Sequence, residues 1–265
     1  MAVSGYLLAA AHFKSLPVGR LLAVVVGMAL VIASACVFNN YIDRGIDQKM
    51  ARTKKRALVT HKIGGPAALV YATVLGAAGF VVLIWFTNHR VVWLNLLAIF
   101  SYVVVYGFAK RKSVHGTLVG AVPGAIPPVA GYVAIGPFDK AAWLLFLILV
   151  CWQMAHFYSI AMYRFKDYKA AGLPVMSVRY GMKITRIQII IYALTLVVAL
   201  LGLTAFDFEG VIFTIIAVGL CIYWLYRGWS GFSLNDEQWG RRMFLASLIV
   251  LVGLSALIPL GALLP

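Results

Sequence analysis

The sequence predicts an all-α fold: a polytopic bundle of nine membrane-spanning helices, the first of them shortened. Three observations predict it. Hydrophobic residues make up 63% of the 265 positions and charged residues only 12%, with a mean hydropathy of +0.94, whereas about a quarter of a soluble globular chain is charged. Apolar runs close to the ~20 residues needed to cross a bilayer recur eight times. The basic residues between those runs fall almost wholly on alternate loops.

Taken in order, Ala2–His12 is about half the length a span requires and lacks the basic lead of a secretory signal. It reads as the tail of a clipped first helix, with a short amphipathic lead-in as the alternative. Full spans follow at Leu21–Phe38, Pro66–Phe86, Val91–Phe108, Thr117–Ile135, Ala141–Tyr163, Ile187–Phe206, Val211–Tyr226 and Met243–Leu264. The fourth of these carries Pro123, Pro127, Pro128 and several glycines. Such a helix leaves backbone groups unpaired, which is tolerable only against protein or a cavity. Cys36, Cys151 and Cys221 are far apart with no CxxC spacing, which argues against disulfides and zinc. Residues 1–265 read as a single membrane domain.

The chain has 23 basic residues against 8 acidic ones, a net charge of +15. With Ala2–His12 counted as the first helix, the loops after helices two, four, six and eight carry 7, 3, 6 and 3 basic residues. The other face has only Lys14, Arg20, Arg90 and Lys140. This asymmetry is the positive-inside pattern. It accounts for the charge by topology, with the lipid bilayer and no nucleic acid as partner, and it brings Asn39–Lys62, Lys110–His115, Arg164–Arg186 and Arg227–Arg242 to one cytoplasmic face.

Two of the eight acids lie in "NNYIDRGIDQKMARTKKRALV". Asn39, Asp43 and Asp47 recur every four residues and so share one helical stripe. Two carboxylates and an amide oxygen suit Mg²⁺, which takes few carboxylates and completes its shell with substrate phosphate. The alternative is a solvated helix end with the acids paired to Arg44 or Lys49. Arg52 and Arg56 repeat the four-residue spacing, and their guanidinium forks match phosphate or carboxylate; the neighbouring Lys54 and Lys55 read as topology. "YGFAKRK" sets Tyr106 and Lys110 at i,i+4, either as phosphate and hydrogen-bond groups or as an aromatic belt with inside lysines. In "WQMAHFYSIAMYRFKDYKAAGLPV", His156, Tyr163 and Asp167 lie at offsets that place them on one helical stripe. An ionisable group within a span is a functional candidate; the alternatives are a core histidine satisfied by a neighbouring helix and a surface ion pair for Asp167. Arg164 adds a cation to the same loop.

Together these stretches resemble the UbiA-type intramembrane prenyltransferases. The first has the N-x3-D-x3-D pattern of that family's Asp-rich motif. Its extension through Arg52 and Arg56, with "WQMAHF", "RFKDYKAAGLPV" and "YGFAKR", resembles the protohaem IX farnesyltransferase (haem O synthase) branch, in order along nearly the whole chain. Gly45 replaces a frequent third acid, Ala155 a frequent proline, and Ala171 the second Asp of quinone-type relatives; the last is usual in the haem branch. The branch's opening Lys-Pro segment is not in this sequence.

The resemblance implies nine helices around a central cavity in a bacterial inner membrane, with the site facing the cytoplasm. It implies transfer of the farnesyl group of farnesyl diphosphate to the 2-vinyl group of haem B, with Mg²⁺, giving haem O and diphosphate for haem–copper oxidase biogenesis. Haem A synthase or the terminal oxidase assembly are candidate partners. By the same resemblance Asn39, Asp43, Asp47 and Asp167 hold the metal; Asp43, Asp47, Asp167 and His156 are the catalytic candidates, His156 serving the haem. Asn39, Arg52, Arg56, Tyr106, Lys110 and Arg164 are the binding residues for diphosphate or haem. The rivals are an aromatic, quinone-precursor polyprenyltransferase and a transporter or haem channel without chemistry.

Overall fold

Helices account for nearly all regular structure in the computed structural model, which describes residues 1–262. They are α1 (Ala2–His12), α2 (Val18–Asp47), α3 (Gly65–Phe86), α4 (His89–Phe100) and α5 (Gly107–Lys112). The series continues with α6 (Gly116–Val133), α7 (Lys140–Tyr163), α8 (Phe165–Ala170), α9 (Met176–Arg179), α10 (Gly181–Ala205), α11 (Val211–Trp229) and α12 (Asp236–Gly261). A π-helical stretch, Ser101–Tyr106, joins α4 and α5 into one span. Eight helices among the described residues are long and apolar enough to cross a membrane, and α1 is a ninth, shorter apolar helix.

Hydropathy located the apolar stretches but not the helix ends. At its start α2 begins three residues before the expected Leu21, and at its end it continues nine residues past Phe38 to Asp47. Thirty residues make a rod of about 45 Å, longer than the ~30 Å hydrocarbon core, so its polar last turns emerge at the membrane face. The last helix begins at Asp236 rather than Met243. Asn235 caps it by accepting from the Gln238 N–H (2.9 Å), and Asp236 and Glu237 favour its positive end. Its expected end at Leu264 lies outside the described residues.

The segment α1 is not an amphipathic strip on the surface. Tyr6, Leu8 and Ala9 are buried, and the helix packs on α6 and α12. Tyr6 Oη donates to the Pro17 carbonyl (2.8 Å), and Ser4 Oγ donates to that of Ser255 (2.7 Å).

In the interior α7 packs against α6, α10 and α12, while α2 and α3 pair as a hairpin to one side. Helix α3 is apolar all round and exposes Val70, Val81 and Trp85, as a lipid-facing helix does. One expectation fails here. His156, Tyr163 and Asp167 do not share a helical stripe, because α7 stops at Tyr163 and Arg164 turns out of helical geometry (φ −109°, ψ 28°). Ser177 Oγ donates to the Ala161 carbonyl (3.0 Å), engaging it where the helix would have continued. Asp167 therefore belongs to the separate helix α8.

Candidate active site

The loops that close one face are α2–α3, α5–α6, α7–α10 and α11–α12. The acid stripe lies at the end of α2, with Asn39, Asp43 and Asp47 all buried. Each meets a side chain from outside its own helix. Lys110 Nζ donates both to Asn39 Oδ1 (2.6 Å) and to Asp43 Oδ2 (2.5 Å). Arg111 adds a longer bond to Asp43 Oδ1 (3.2 Å), and Arg56 Nη1 pairs with Asp47 Oδ2 (2.7 Å). Neither Arg44 nor Lys49 is the partner: Arg44 bonds the Tyr41 carbonyl and lies over that residue's ring. The Lys110–Asp43 pair is about 90% buried on both sides, a setting in which deleting one partner costs about 3–5 kcal/mol.

Backbone contact fixes Lys110. A Cβ on Gly116 would lie 2.6 Å from Lys110 Cα and 2.9 Å from its N, so the α5–α6 turn closes against the lysine only with glycine there. The π-helical stretch supplies the adjoining wall. Tyr102 and Tyr106 stack with ring centres 5.6 Å apart, and Lys110 Nζ sits 4.9 Å from the Tyr106 centroid, so the expected Tyr106–Lys110 pairing forms. A π-turn interrupting an α-helix is often found at a functional site.

Arg52 and Arg56 separate. The loop after Asp47 proceeds by turns rather than as a helix, so their four-residue spacing does not put them on one face. Arg56 neutralises Asp47, while Arg52 lines a cavity. Asp167 reaches the same loop from α8, its Oδ1 accepting from the Ala51 N–H (3.2 Å).

Two cavities meet here. The polar one, about 590 Å³, is lined among others by Arg52, Tyr106, Lys110, Arg164, Tyr168 and Arg241. Burial pushes the Tyr168 hydroxyl above its usual pKa of 10, so it remains a hydrogen-bond donor. The apolar cavity, about 250 Å³, extends between α2, α4, α6 and α7 past Met28, Ala35, Ile99, Ile126 and Pro127. Tyr102, Gly120 and Phe157 line both. The proline-rich helix therefore borders a cavity, as its composition predicts. A cationic chamber leading into an apolar bore is shaped for a ligand with an anionic head and a hydrocarbon tail.

His156 lies behind this wall rather than on it. Its ring stacks on Trp152 (4.6 Å) and lies against Phe157 and Phe244, which do line the polar chamber. Ser247 Oγ donates to the Phe244 carbonyl (2.6 Å) and lies 2.6 Å from His156 Nδ1. With its proton committed, the hydroxyl accepts from Nδ1–H, and Nε2 keeps its lone pair. Tyr102, Tyr168 and Arg241 were missed in the sequence. Tyr102 lies four residues before Tyr106 and Tyr168 beside Asp167, spacings that would have found them; Arg241 was hidden in a pair of basic residues that topology alone explains.

Among the described residues no three His, Cys, Asp or Glu side chains cluster to enclose a metal. The oxygens of Asn39 and Asp43 nevertheless converge on one cationic nitrogen. That is the partial, oxygen-only donor set that Mg²⁺ takes alongside a phosphate ligand.

Residues 1–251 match the model of the UbiA prenyltransferase family. A protoheme IX farnesyltransferase of Sodalis glossinidius is 43% identical over 99% of this chain and 89% of its own. Another from Edwardsiella ictaluri is 45% identical over 96% and 86%. Among solved structures, a digeranylgeranylglyceryl phosphate synthase superposes with a TM-score of 0.79 at 18% identity, covering 98% of this chain and 91% of that one. A UbiA homolog from Archaeoglobus fulgidus bound to GPP and Mg²⁺ gives 0.65 at 15% identity, with 97% and 96% covered. At such identities the structures share the fold.

Proposed function

The chain belongs to the UbiA prenyltransferase family, and from that premise we propose that it farnesylates haem B. The 2-vinyl group of haem B receives the farnesyl group of farnesyl diphosphate, and diphosphate and haem O are the products, destined for haem–copper oxidase biogenesis. One observation carries the reading: a cationic chamber walled by Lys110 and Arg52 opens, past Tyr102, Gly120 and Phe157, into an apolar bore. Relatives named for this reaction, at 43–45% identity over nearly the whole chain, support the choice of acceptor.

In this reading the converging oxygens of Asn39 and Asp43 would hold Mg²⁺ jointly with the diphosphate, Asp47 and Asp167 would complete the acidic surround, and the ion's charge would offset that gathering on the leaving group. Lys110 and Arg52 bind the remaining phosphate oxygens, and the half-buried Tyr106 and Tyr168 donate hydrogen bonds. Arg56 orients Asp47 through its 2.7 Å ion pair. Cations fixed where charge develops lower the barrier to breaking the allylic C–O bond. The bond's electron pair leaves with the diphosphate. The vinyl π-electrons form the new C–C bond, and the cation left beside the macrocycle is trapped by water, which loses a proton to become the hydroxyl. The bore holds the farnesyl tail out of water. His156 acts from behind the wall, positioning the acceptor through Phe157 and Phe244. In this reading the membrane is the bacterial inner membrane, and the basic loops support a chamber at its cytoplasmic face.

The test is diphosphate release by the purified protein with Mg²⁺ and farnesyl diphosphate, offered haem B or 4-hydroxybenzoate. Release and haem O with haem B alone support the reading. Release with 4-hydroxybenzoate alone would make it a quinone-precursor enzyme, and none with either acceptor a transporter.

A further inference from the structure

The polar chamber has a second cationic wall, which the diphosphate chemistry leaves unused. Arg164, at the end of α7, and Arg241, on α12, both line the chamber and both lie over the ring of Tyr163, at 4.3 and 5.9 Å from its centroid. Those two distances added put the guanidinium carbons no more than 10.2 Å apart. Neither guanidinium has a carboxylate or hydrogen-bond partner among the described residues. Of the acids of this face, Asp43 is engaged by Lys110 and Arg111, Asp47 by Arg56, Asp236 by Arg186 and Asp167 by the Ala51 N–H, while Glu237, one turn before Arg241 on α12, forms no ion pair with it.

The pair is built rather than incidental. A Cβ on Gly240 would lie 2.9 Å from Tyr163 N and 3.0 Å from the Ser159 carbonyl oxygen, so α12 reaches the backbone of α7 and sets Arg241 next to Arg164. Tyr163 stacks on Phe244, which extends the wall as a flat aromatic surface. A guanidinium resting on an aromatic face leaves its N–H edge free, and that edge matches a carboxylate with two parallel bonds.

Beyond the function proposed above, on which it rests, we propose that Arg164 and Arg241 are a carboxylate-binding pair that holds the two propionates of the haem acceptor. The donor accounts for the other wall. A tail in the bore, which shares Tyr102, Gly120 and Phe157 with the chamber, leads the diphosphate to Lys110 and the α2 acids it binds, and leaves the Arg164–Arg241 wall for the acceptor. Two separate monoanions on one edge of a flat macrocycle suit two separate guanidiniums beside a flat aromatic wall. Anchoring that edge turns the rest of the ring toward the donor.

The experiment uses the full chain in nanodiscs of zwitterionic lipid, which removes competing anionic headgroups. Haem B and its dimethyl ester, in which both propionates are neutral, are titrated spectroscopically, and KM is measured for farnesyl diphosphate. The wild type should bind haem B more tightly than the diester. R164Q and R241Q should each weaken haem B by roughly tenfold or more, the range of a hydrogen bond to a charged group, and should leave diester affinity and the KM for farnesyl diphosphate unchanged. R241K, a point charge without the fork, should recover part of the loss. Equal weakening of haem B and diester would make the pair structural, and a rise confined to the KM for farnesyl diphosphate would assign it to the donor; either result, or no change, overturns the proposal. Haem O formation is read separately. A wild type that discriminates haem B from diester but makes no haem O overturns the proposed reaction and not the pair, whereas one that binds no haem overturns both.

Discussion

On the face opposite the polar chamber, Glu209 lies in the short loop between α10 and α11. It is 95% buried, and neither carboxyl oxygen has a hydrogen-bond partner among the described residues; it faces Phe213 and the place a side chain at Gly261 would take. Burial pushes its pKa from 4.5 up to about 8. The unfolded chain releases this proton near pH 4.5, while the folded chain keeps it to about pH 8. Between those values the native state binds more protons, so stability falls as pH rises. The slope is about 1.4 kcal/mol per pH unit, or roughly 4–5 kcal/mol across the window. Glu209→Gln preserves the shape of the neutral acid and cannot ionise. Thermal unfolding of detergent-solubilised wild type and variant, followed by circular dichroism from pH 4.5 to 8.5, should show melting points that coincide at the acid end. They should diverge steadily, with the variant higher, and level off above pH 8. Parallel curves with no widening gap would refute the claim that an unpaired, desolvated carboxyl resides there.

Asp43→Asn or Asp47→Asn should reduce haem O formation by roughly a hundredfold or more at equal protein levels in membranes; near-normal rates at saturating Mg²⁺ would return both acids to a structural ion-pair role. Lys110→Met frees the oxygens of Asn39 and Asp43 from their competing cation, so calorimetry should find tighter Mg²⁺ binding without diphosphate, yet turnover should drop. Gly116→Ala pushes on the Lys110 backbone and should cost on the order of tenfold to a hundredfold in kcat, whereas Gly219→Ala, with open space around it, should cost nothing. His156→Ala should lose haem O synthesis and perturb the bound-haem spectrum while keeping farnesyl diphosphate binding. Ser247→Ala, which releases only the Nδ1 bond, should show a smaller loss of the same kind.

The spans were legible because a bilayer imposes a length and a composition, and both are visible in one dimension. Helix ends were not, since α2 and α12 extend past the membrane into charged turns where hydropathy carries no signal. The break at Arg164 was also invisible. There Ser177, sixteen residues beyond Ala161, reaches back to a helical carbonyl, and no local propensity in "AMYRFKDY" marks the break. A helical offset extrapolated across that break joined His156 to Asp167 where the chain does not.

For the site, residue types were legible and their pairing was not. The four-residue recurrence of Asn39, Asp43 and Asp47 gave their shared face directly, because all three ride one unbroken helix. Which cation meets which acid is a tertiary fact: Lys110 lies 67 residues from Asp43 and reaches it because Gly116 lets the α5–α6 turn close. The same pairing explains how a bilayer-edge helix tolerates buried acids at the positions that the proposed function assigns to a dication. Lys110, Arg56 and Arg111 neutralise them. In the proposed reaction a donor arriving with its own phosphate charge would give Lys110 a new anion to follow and so would open the oxygens of Asn39 and Asp43 to a metal. Metal and diphosphate should therefore bind with positive coupling, each raising the other's affinity by the same factor, and Lys110 is the residue through which that coupling acts.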